Sequence, residues 1–312
     1  MLILDEAQTR AALPMRPLIE ALRTMFAQGC EMPVRHHHTM TVPGEADATL
    51  LLMPAWQTGR HLGVKIATVF PGNAGRGQAA VNAAYVLMSA GDGALLAMID
   101  GGELTARRTA AASALAADYL ARGDTEHLLV VGTGRLALNL IEAHAAVRDI
   151  RQVSVWGRSR AKAEAVAERA TAAGFVAGAA DDLAGAVAAA DIVSCATLSG
   201  EPLVRGAWLR PGTHVDLVGA FTPAMRESDD EAVRRASVFV DTRAGATSEG
   251  GDIVQAIRSG ALSLADIRAE LAQLCRAEHA GRRSDDEITL FKSVGAALED
   301  LAGAILAHET AS

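Results

Sequence analysis

The sequence predicts an α/β protein: a doubly wound parallel sheet domain, with an α+β domain in front of it whose sheet is antiparallel. Three observations carry this. From residue 127 onward, strand-like and helix-like runs alternate, the pattern of βαβ units around a parallel sheet. Before residue 100, β-rich runs follow one another without a long helix between them. A glycine turn, Gly132-Thr133-Gly134, sits where the first of the alternating strands passes into a helix.

Taken in order, residues 14–28, PMRPLIEALRTMFAQ, carry apolar residues at helical spacing and predict an amphipathic helix. Four strand-like runs follow: MPVRHHHTMTV, ATLLLMPAW, LGVKIATVF and AAYVLMSA. The last turns through Gly91-Asp92-Gly93 into ALLAMID, a hairpin signal. Gly102 to Ala121 strongly favours a helix, ended by Arg122-Gly123. Then HLLVVG, QVSVWG, GFVAG, DIVSCAT, HVDLVGA and ASVFVDT read as buried strands, with helical segments such as RAKAEAVAERATAAG and DDLAGAVAAA among them. The tail, DEITLFKSVGAALEDLAGAILAH, starts as a strand and continues as a long helix able to pack on the first half.

The 312 residues are enough for two domains. A net charge of −8 argues against nonspecific nucleic-acid binding, which needs a basic surface. The N-terminal MLILDEAQTR has acids directly after its short apolar run, unlike a signal peptide. No uninterrupted apolar run of about 18 residues suggests a membrane span. Cys30, Cys195 and Cys275 are scattered and odd in number, so reduced thiols and a cytoplasmic location are expected. On a strand, His36 and His38 would share a face, but no third-ligand spacing accompanies them. They read as polar strand residues rather than metal ligands.

The stretch LLVVGTGRLALNLIEA places Gly132-Thr133-Gly134-Arg135-Leu136-Ala137 between strand and helix. This is the GxGxxA form of the dinucleotide fingerprint, the mark of a Rossmann domain. Gly132 permits the tight turn, Gly134 lets the backbone approach a pyrophosphate, and Ala137 lets helix and sheet pack closely. The helix N-terminus offers amides to the phosphates. About 20 residues on, an NAD-binding chain carries an acid that bonds the ribose. Here Trp156-Gly157-Arg158-Ser159-Arg160 stands instead. Arg158, Ser159 and Arg160 are able to receive a 2′-phosphate, so NADPH is expected, with NADH the alternative. Ser159 equally reads as a helix N-cap. Ala196 and Thr197, after DIVSCAT, and Gly219, ending HVDLVGA, complete the expected cofactor contacts.

Several motifs then share one order along the chain: MPVR, LGVKIATVFPGN, DGGELTARRTAAASALAADYLA, VVGTGRLA and ITLFKSVGAALEDL. With them the sequence resembles the ornithine cyclodeaminase/μ-crystallin family along nearly its whole length. The resemblance implies a substrate-binding and dimerisation domain from both chain ends (1–123 with 287–312) and a Rossmann domain between them (124–286). It also implies a homodimer, and a small cyclic imino acid or amino acid bound in the cleft against the nicotinamide. Carried onto matching positions, Arg35 and Arg108 would grip the substrate carboxylate, and Lys65 would stand beside the reacting C–N centre.

The residue chemistry agrees. A guanidinium binds a carboxylate bidentately, and a desolvated lysine beside arginines gives up a proton near neutral pH. From spacing alone, Lys65 reads as well as a solvated strand lysine, and Arg108 as a helix-surface charge. Glu103 and Thr109 read as capping or supporting residues, Asn73 and Arg76 as cleft candidates. Ser293 and Val294 resemble the family's cofactor-side contact, although Ser is also a common cap.

Family members that cyclise ornithine, and the amino-acid dehydrogenases of the same fold, carry an Asp just after the glycine of the strand end. This chain has Phe221, in GAFTPAMRE. Without that carboxylate, oxidative deamination loses its general base. The pattern instead resembles the ketimine-reductase branch. The expected activity is NADPH-dependent reduction of 1-pyrroline-2-carboxylate or 1-piperideine-2-carboxylate to L-proline or L-pipecolate, with Phe221 against the ring. Ornithine cyclodeamination with NAD, and idle cofactor-linked binding of a small molecule, are the alternatives.

Overall fold

Five strands of the first hundred residues form an antiparallel ladder: β2 (His36–Met40), β3 (Ala48–Gln57), β4 (His61–Val69), β5 (Val81–Ser89) and β6 (Leu95–Asp100). The β5–β6 turn is the expected hairpin, with Ser89 Oγ accepting from the amides of Gly91 and Asp92. A sixth strand, β1 (Leu2–Leu4), adds to β6 in parallel. The sequence pattern did not foresee it, because three residues are too few to show a period. The computed structural model describes residues 1–312, the side chain of Ala74 apart.

Helix α1 (Glu6–Ala12) begins in a capping box between Asp5 and Gln8, and α2 (Met15–Gln28) buries Leu18, Ile19, Leu22, Met25 and Phe26 along one stripe. Helix α3 (Gly101–Leu120) follows β6. It survives near-total burial because half of its residues are alanine or leucine, which lose little on helix formation.

The remaining strands are β7 (His127–Val131), β8 (Gln152–Trp156), β9 (Ala177–Ala179), β10 (Ile192–Cys195), β11 (His214–Leu217), β12 (Ser237–Val240), β13 (Ile267–Glu270) and β14 (Thr289–Lys292). They form one parallel sheet in the order β13-β12-β14-β11-β10-β7-β8-β9. The helices are α4 (Leu136–Ala145), α5 (Arg160–Ala172), α6 (Leu183–Ala189), α7 (Asp230–Arg235), α8 (Arg243–Ser248), α9 (Gly251–Arg258), α10 (Leu271–Cys275) and the C-terminal α11 (Ala297–Ala311).

Alternate residues of β7 enter different cores, Leu129 and Val131 one and Leu128 and Val130 the other. Burial on both faces explains why these strands read as unbroken apolar runs.

Contacts divide the chain into two units, Met1–Arg108 with Ala297–Ser312, and Thr109–Ala296. The tail re-enters the first unit at Ala297, later than the residue 287 expected from sequence, because β14 pairs between β11 and β12 in the parallel sheet. No described helix is long and apolar enough to cross a membrane.

Candidate active site

In β4, Gly63, Lys65 and Ala67 face inward while Ile66 is exposed, so strand alternation alone sends the lysine into the first unit's interior. There Lys65 Nζ lies 2.7 Å from Asp300 Oδ2. Arg108, on α3, donates from Nε to Asp300 Oδ1 at 2.8 Å and from Nη1 to Glu299 Oε2 at 2.6 Å. Glu299 and Asp300 sit in the first turn of α11, where the helix dipole favours negative charge. The two cationic side chains are 6% exposed and the two acids 0%. Neither Lys65 nor Arg108 is therefore the solvated surface charge that spacing alone allowed.

Burial pushes the Lys65 ammonium down to about 8, helped by the Arg108 and Arg35 charges and opposed by Asp300. Although burial opposes it, Arg108 and Lys65 hold the Asp300 carboxyl below its usual range. Arg35 lies just before β2 and is half-buried. Tyr85, opposite Lys65 in the β4–β5 register, is fully buried, and its hydroxyl has no hydrogen-bond partner among the described residues. Burial pushes it well above its usual range.

Other expected residues of this unit serve local structure. Glu103 pairs with Arg10 at 2.9 Å, and its amide donates to Asp100 Oδ1. Asn73 donates to Ala79 O, and Arg76 to Asn73 Oδ1 and Glu45. His36, His37 and His38 are exposed on the edge strand β2, and no group of three metal-binding side chains occurs among the described residues.

In the second unit, the strand order turns back between β7 and β10, the place where ligands bind in open parallel sheets. A cavity of about 470 Å³ opens there, lined by Gly132, Thr133, Gly134, Trp156 and Gly157, and by Ala196, Thr197, Leu198, Ser199 and Leu203. Arg158, Ser159 and Lys162 complete it. Gly132 has φ +128°, and a Cβ on it would lie 2.5 Å from the Ala196 carbonyl oxygen. A Cβ on Gly134 would meet nothing within 4 Å, so the chain there is open to a ligand. Arg135 occupies the N-cap of α4 without a side-chain capping bond, Leu136 begins the helix, and the buried Ala137 lets it pack. These residues fit a dinucleotide, with backbone amides for the phosphates.

Ser159 is the N-cap of α5, yet its side chain makes no capping bond. Arg160 is drawn away from the cavity by ion pairs with Glu164 and Asp181. Lys162, in the first turn of α5, lines the cavity instead. Within RAKAEAVAERATAAG nothing in the sequence sets it apart from the other polar helix residues.

A second buried charge cluster lies behind the Thr197 wall of this cavity. Glu227 Oε1 accepts from the amide and hydroxyl of Thr197 at 2.7 and 2.8 Å. Asp252 Oδ1 accepts from the amides of Glu227 and Ser228. Lys292, at the end of β14, lies 3.3 Å from Asp252 Oδ2 and donates to Gly219 O. Gly219 admits no side chain, since a Cβ there would sit 2.1 Å from Thr197 O. Burial and Asp252 push Glu227 up to about 7, against the pull of Lys292 and the bonds from Thr197. Beyond Gly219, Ala220 takes φ +49° and Phe221 is 46% exposed. Ser293 is buried with its amide on Leu217 O, and the amides of Val294 and Gly295 donate to Asp241.

Comparison with known sequences decides the family: the profile of the ornithine cyclodeaminase/mu-crystallin family matches residues 3–312. The chain belongs to that family. Among relatives, Delta(1)-pyrroline-2-carboxylate reductase of Paracoccus denitrificans is 41% identical over 290 residues, spanning 93% of this chain and 90% of that protein. Ketimine reductase mu-crystallin of Rattus norvegicus is 32% identical over 310 residues, 98% of this chain and 95% of its own. Among solved structures of the family, Delta(1)-pyrroline-2-carboxylate reductase of Thermococcus litoralis, in complex with NADH and L-proline, matches at TM-score 0.92 and 33% identity. That likeness covers 100% of this chain and 97% of the other.

Proposed function

We propose that this family member reduces a cyclic ketimine carboxylate, 1-pyrroline-2-carboxylate or 1-piperideine-2-carboxylate, to L-proline or L-pipecolate, with NADPH preferred to NADH. The observation that carries the reading is the buried Lys65–Asp300–Arg108 cluster in a chain with Phe221, not an acid, beyond the β11 strand end. Names of relatives supply the substrate class: proteins 41% and 33% identical are pyrroline-2-carboxylate reductases.

The first unit would hold the imino acid and the second the dinucleotide. Arg108 spends Nε and one N–H of Nη1 on its two acids, which leaves donors of its five for a substrate carboxylate. Arg35 would be the second carboxylate ligand. The Lys65 ammonium, with a pKa lowered to about 8, gives a proton to the ring nitrogen as the C=N bond becomes C–N. The reduced nicotinamide, when bound, supplies the hydride.

Arg158, Ser159 and Lys162 support NADPH, since no acid precedes them at the end of β8. The homodimer is proposed on the uncovered sheet face, where Ile3 and Met98, paired in register, are 67% and 40% exposed. Sedimentation would place the protein at twice its 32.4 kDa chain mass, and a monomer at micromolar concentration would end that part of the reading. The activity test is oxidation of NADPH, followed by absorbance, with 1-pyrroline-2-carboxylate. Its absence, together with proline and ammonia formed from ornithine and NAD⁺, would establish the cyclodeaminase instead.

A further inference from the structure

We infer that Asp300 is a positioning residue of the reaction, its two carboxylate oxygens holding the proton donor Lys65 and the carboxylate-binding Arg108 in one fixed arrangement. The inference rests on the reductase reading given above. Its ground is geometric: Oδ2 meets Lys65 Nζ at 2.7 Å and Oδ1 meets Arg108 Nε at 2.8 Å. One short, fully buried side chain thus joins three elements, β4, α3 and α11, that are distant in sequence. Glu299, its neighbour, holds Arg108 at Nη1. Arg108 is therefore held from two sides, and its plane is set before any ligand arrives.

Such pre-setting matters because the proton must reach the ring nitrogen while the carboxylate is clamped. In the balanced step, a hydride adds to the ring carbon and the C=N π pair moves onto nitrogen. That nitrogen then takes the proton, and Lys65 is left as a neutral amine. The groups acting on the lysine are Asp300 from α11, Arg108 from α3 and Arg35 ahead of β2, with Tyr85 its cross-strand neighbour on β5. Burial and both arginines drive its proton off, and of the groups acting on its charge only Asp300 holds it. Tyr85 stays neutral at working pH, since burial raises its hydroxyl well above the usual range.

Three variants, Asp300→Asn, Asp300→Glu and Glu299→Gln, test this by the pH profile of kcat/KM and by calorimetric binding of pyrrole-2-carboxylate without nucleotide. For Asp300→Asn, the alkaline limb should move down by about one pH unit or more, because the attraction is removed and the repulsions stay. Analogue binding should weaken by about tenfold or more, the scale of one lost charge-assisted bond. Glu299→Gln should weaken the analogue and leave the limb in place. An Asp300→Asn limb within about 0.3 units of wild type, on the scale set by neighbouring charges, would overturn the inference while the reductase reading stands. If Asp300→Asn does not fold, Asp300→Glu decides. A loss of about tenfold in kcat/KM at unchanged Tm supports positioning, and a rate within about twofold of wild type overturns it. Wild type inactive on imino acids would sink the reductase reading itself, and analogue binding would then decide alone whether Asp300 orders the pair.

Discussion

The two units each bury a lysine against an aspartate, and the two clusters resolve their charges in opposite ways. In the first unit, Lys65 and Arg108 face Glu299 and Asp300, two cations for two carboxylates, and the charge of Arg35 acts on Lys65 as well. In the second, Lys292 alone faces Asp252 and Glu227. Burial makes charge expensive in both, so each gives way at the group with least support. In the first that group is Lys65, lowered to about 8; in the second it is Glu227, raised to about 7. The first cluster therefore presents a proton that leaves readily, beside donors for an anion. In the second, burial favours the protonated form of Glu227, and the cluster's bonds end on backbone at Thr197 and Gly219. On the proposed reading the first serves the chemistry, while the second holds a cavity wall in place.

The most severe way to break this contrast is to remove each lysine. Lys65→Ala should lower kcat by about 10²- to 10⁴-fold, the range for a lost general acid, measured at saturating imino acid and NADPH. Lys292→Ala leaves two buried carboxylates without their cation and should destabilise by about 3–5 kcal/mol, read from urea unfolding. If the Lys292 variant stayed stable and lost only turnover, the roles assigned to the two clusters would be wrong.

Stability against pH gives a finer separation. Glu227 has a folded pKa near 7 against an ordinary value of 4.5, so the folded state binds more protons between those values. Its contribution is fully present below about 4.5 and is lost as pH rises through about 7. Lys65, lowered from 10.5 to about 8, has the opposite slope: its contribution is present above 10.5 and is lost as pH falls through about 8. Glu227→Gln should flatten the decline in unfolding free energy between about pH 5 and 7. A wild-type slope in that variant would remove Glu227 from the account.

The contrast was only half legible in the sequence. The glycine turn, the βαβ rhythm and the hairpin at Gly91-Asp92-Gly93 are local signals, and the fold follows them. Lys65 and Arg108 came from motif order, since an alternating strand and an alanine-rich helix do not say which of their charges are buried. Their partners were missed because each pair spans nearly two hundred or more residues, Lys65 with Asp300 and Arg108 with Glu299. A clue existed in ALEDLAGAIL, where two adjacent acids interrupt an apolar helix. Glu227 ends GAFTPAMRE and Lys292 lies in ITLFKSVGAALEDL, but Asp252 lies in neither, and no local pattern links the three. Only the sheet order, which inserts β14 beside β11, brings them together.

The smallest effect expected is at the cavity rim, where nothing is buried and solvent screens the charges. Arg158 and Ser159 are exposed, and with Lys162 they line the cavity beyond Gly157. Screening limits each contact, so Arg158→Ala should raise the KM for NADPH by about tenfold and leave that for NADH within about twofold. Lys162→Ala should act in the same direction, more weakly, because an ammonium meets a phosphate as a point charge without the guanidinium fork. Raising salt should narrow the gap between wild type and Arg158→Ala, since exposed charge contacts weaken with ionic strength. Arg160→Ala is the internal control: held by Glu164 and Asp181, it should leave both KM values unchanged. Equal losses for NADPH and NADH in the Arg158 variant would show a general effect on the pocket and end the case for a 2′-phosphate at this rim.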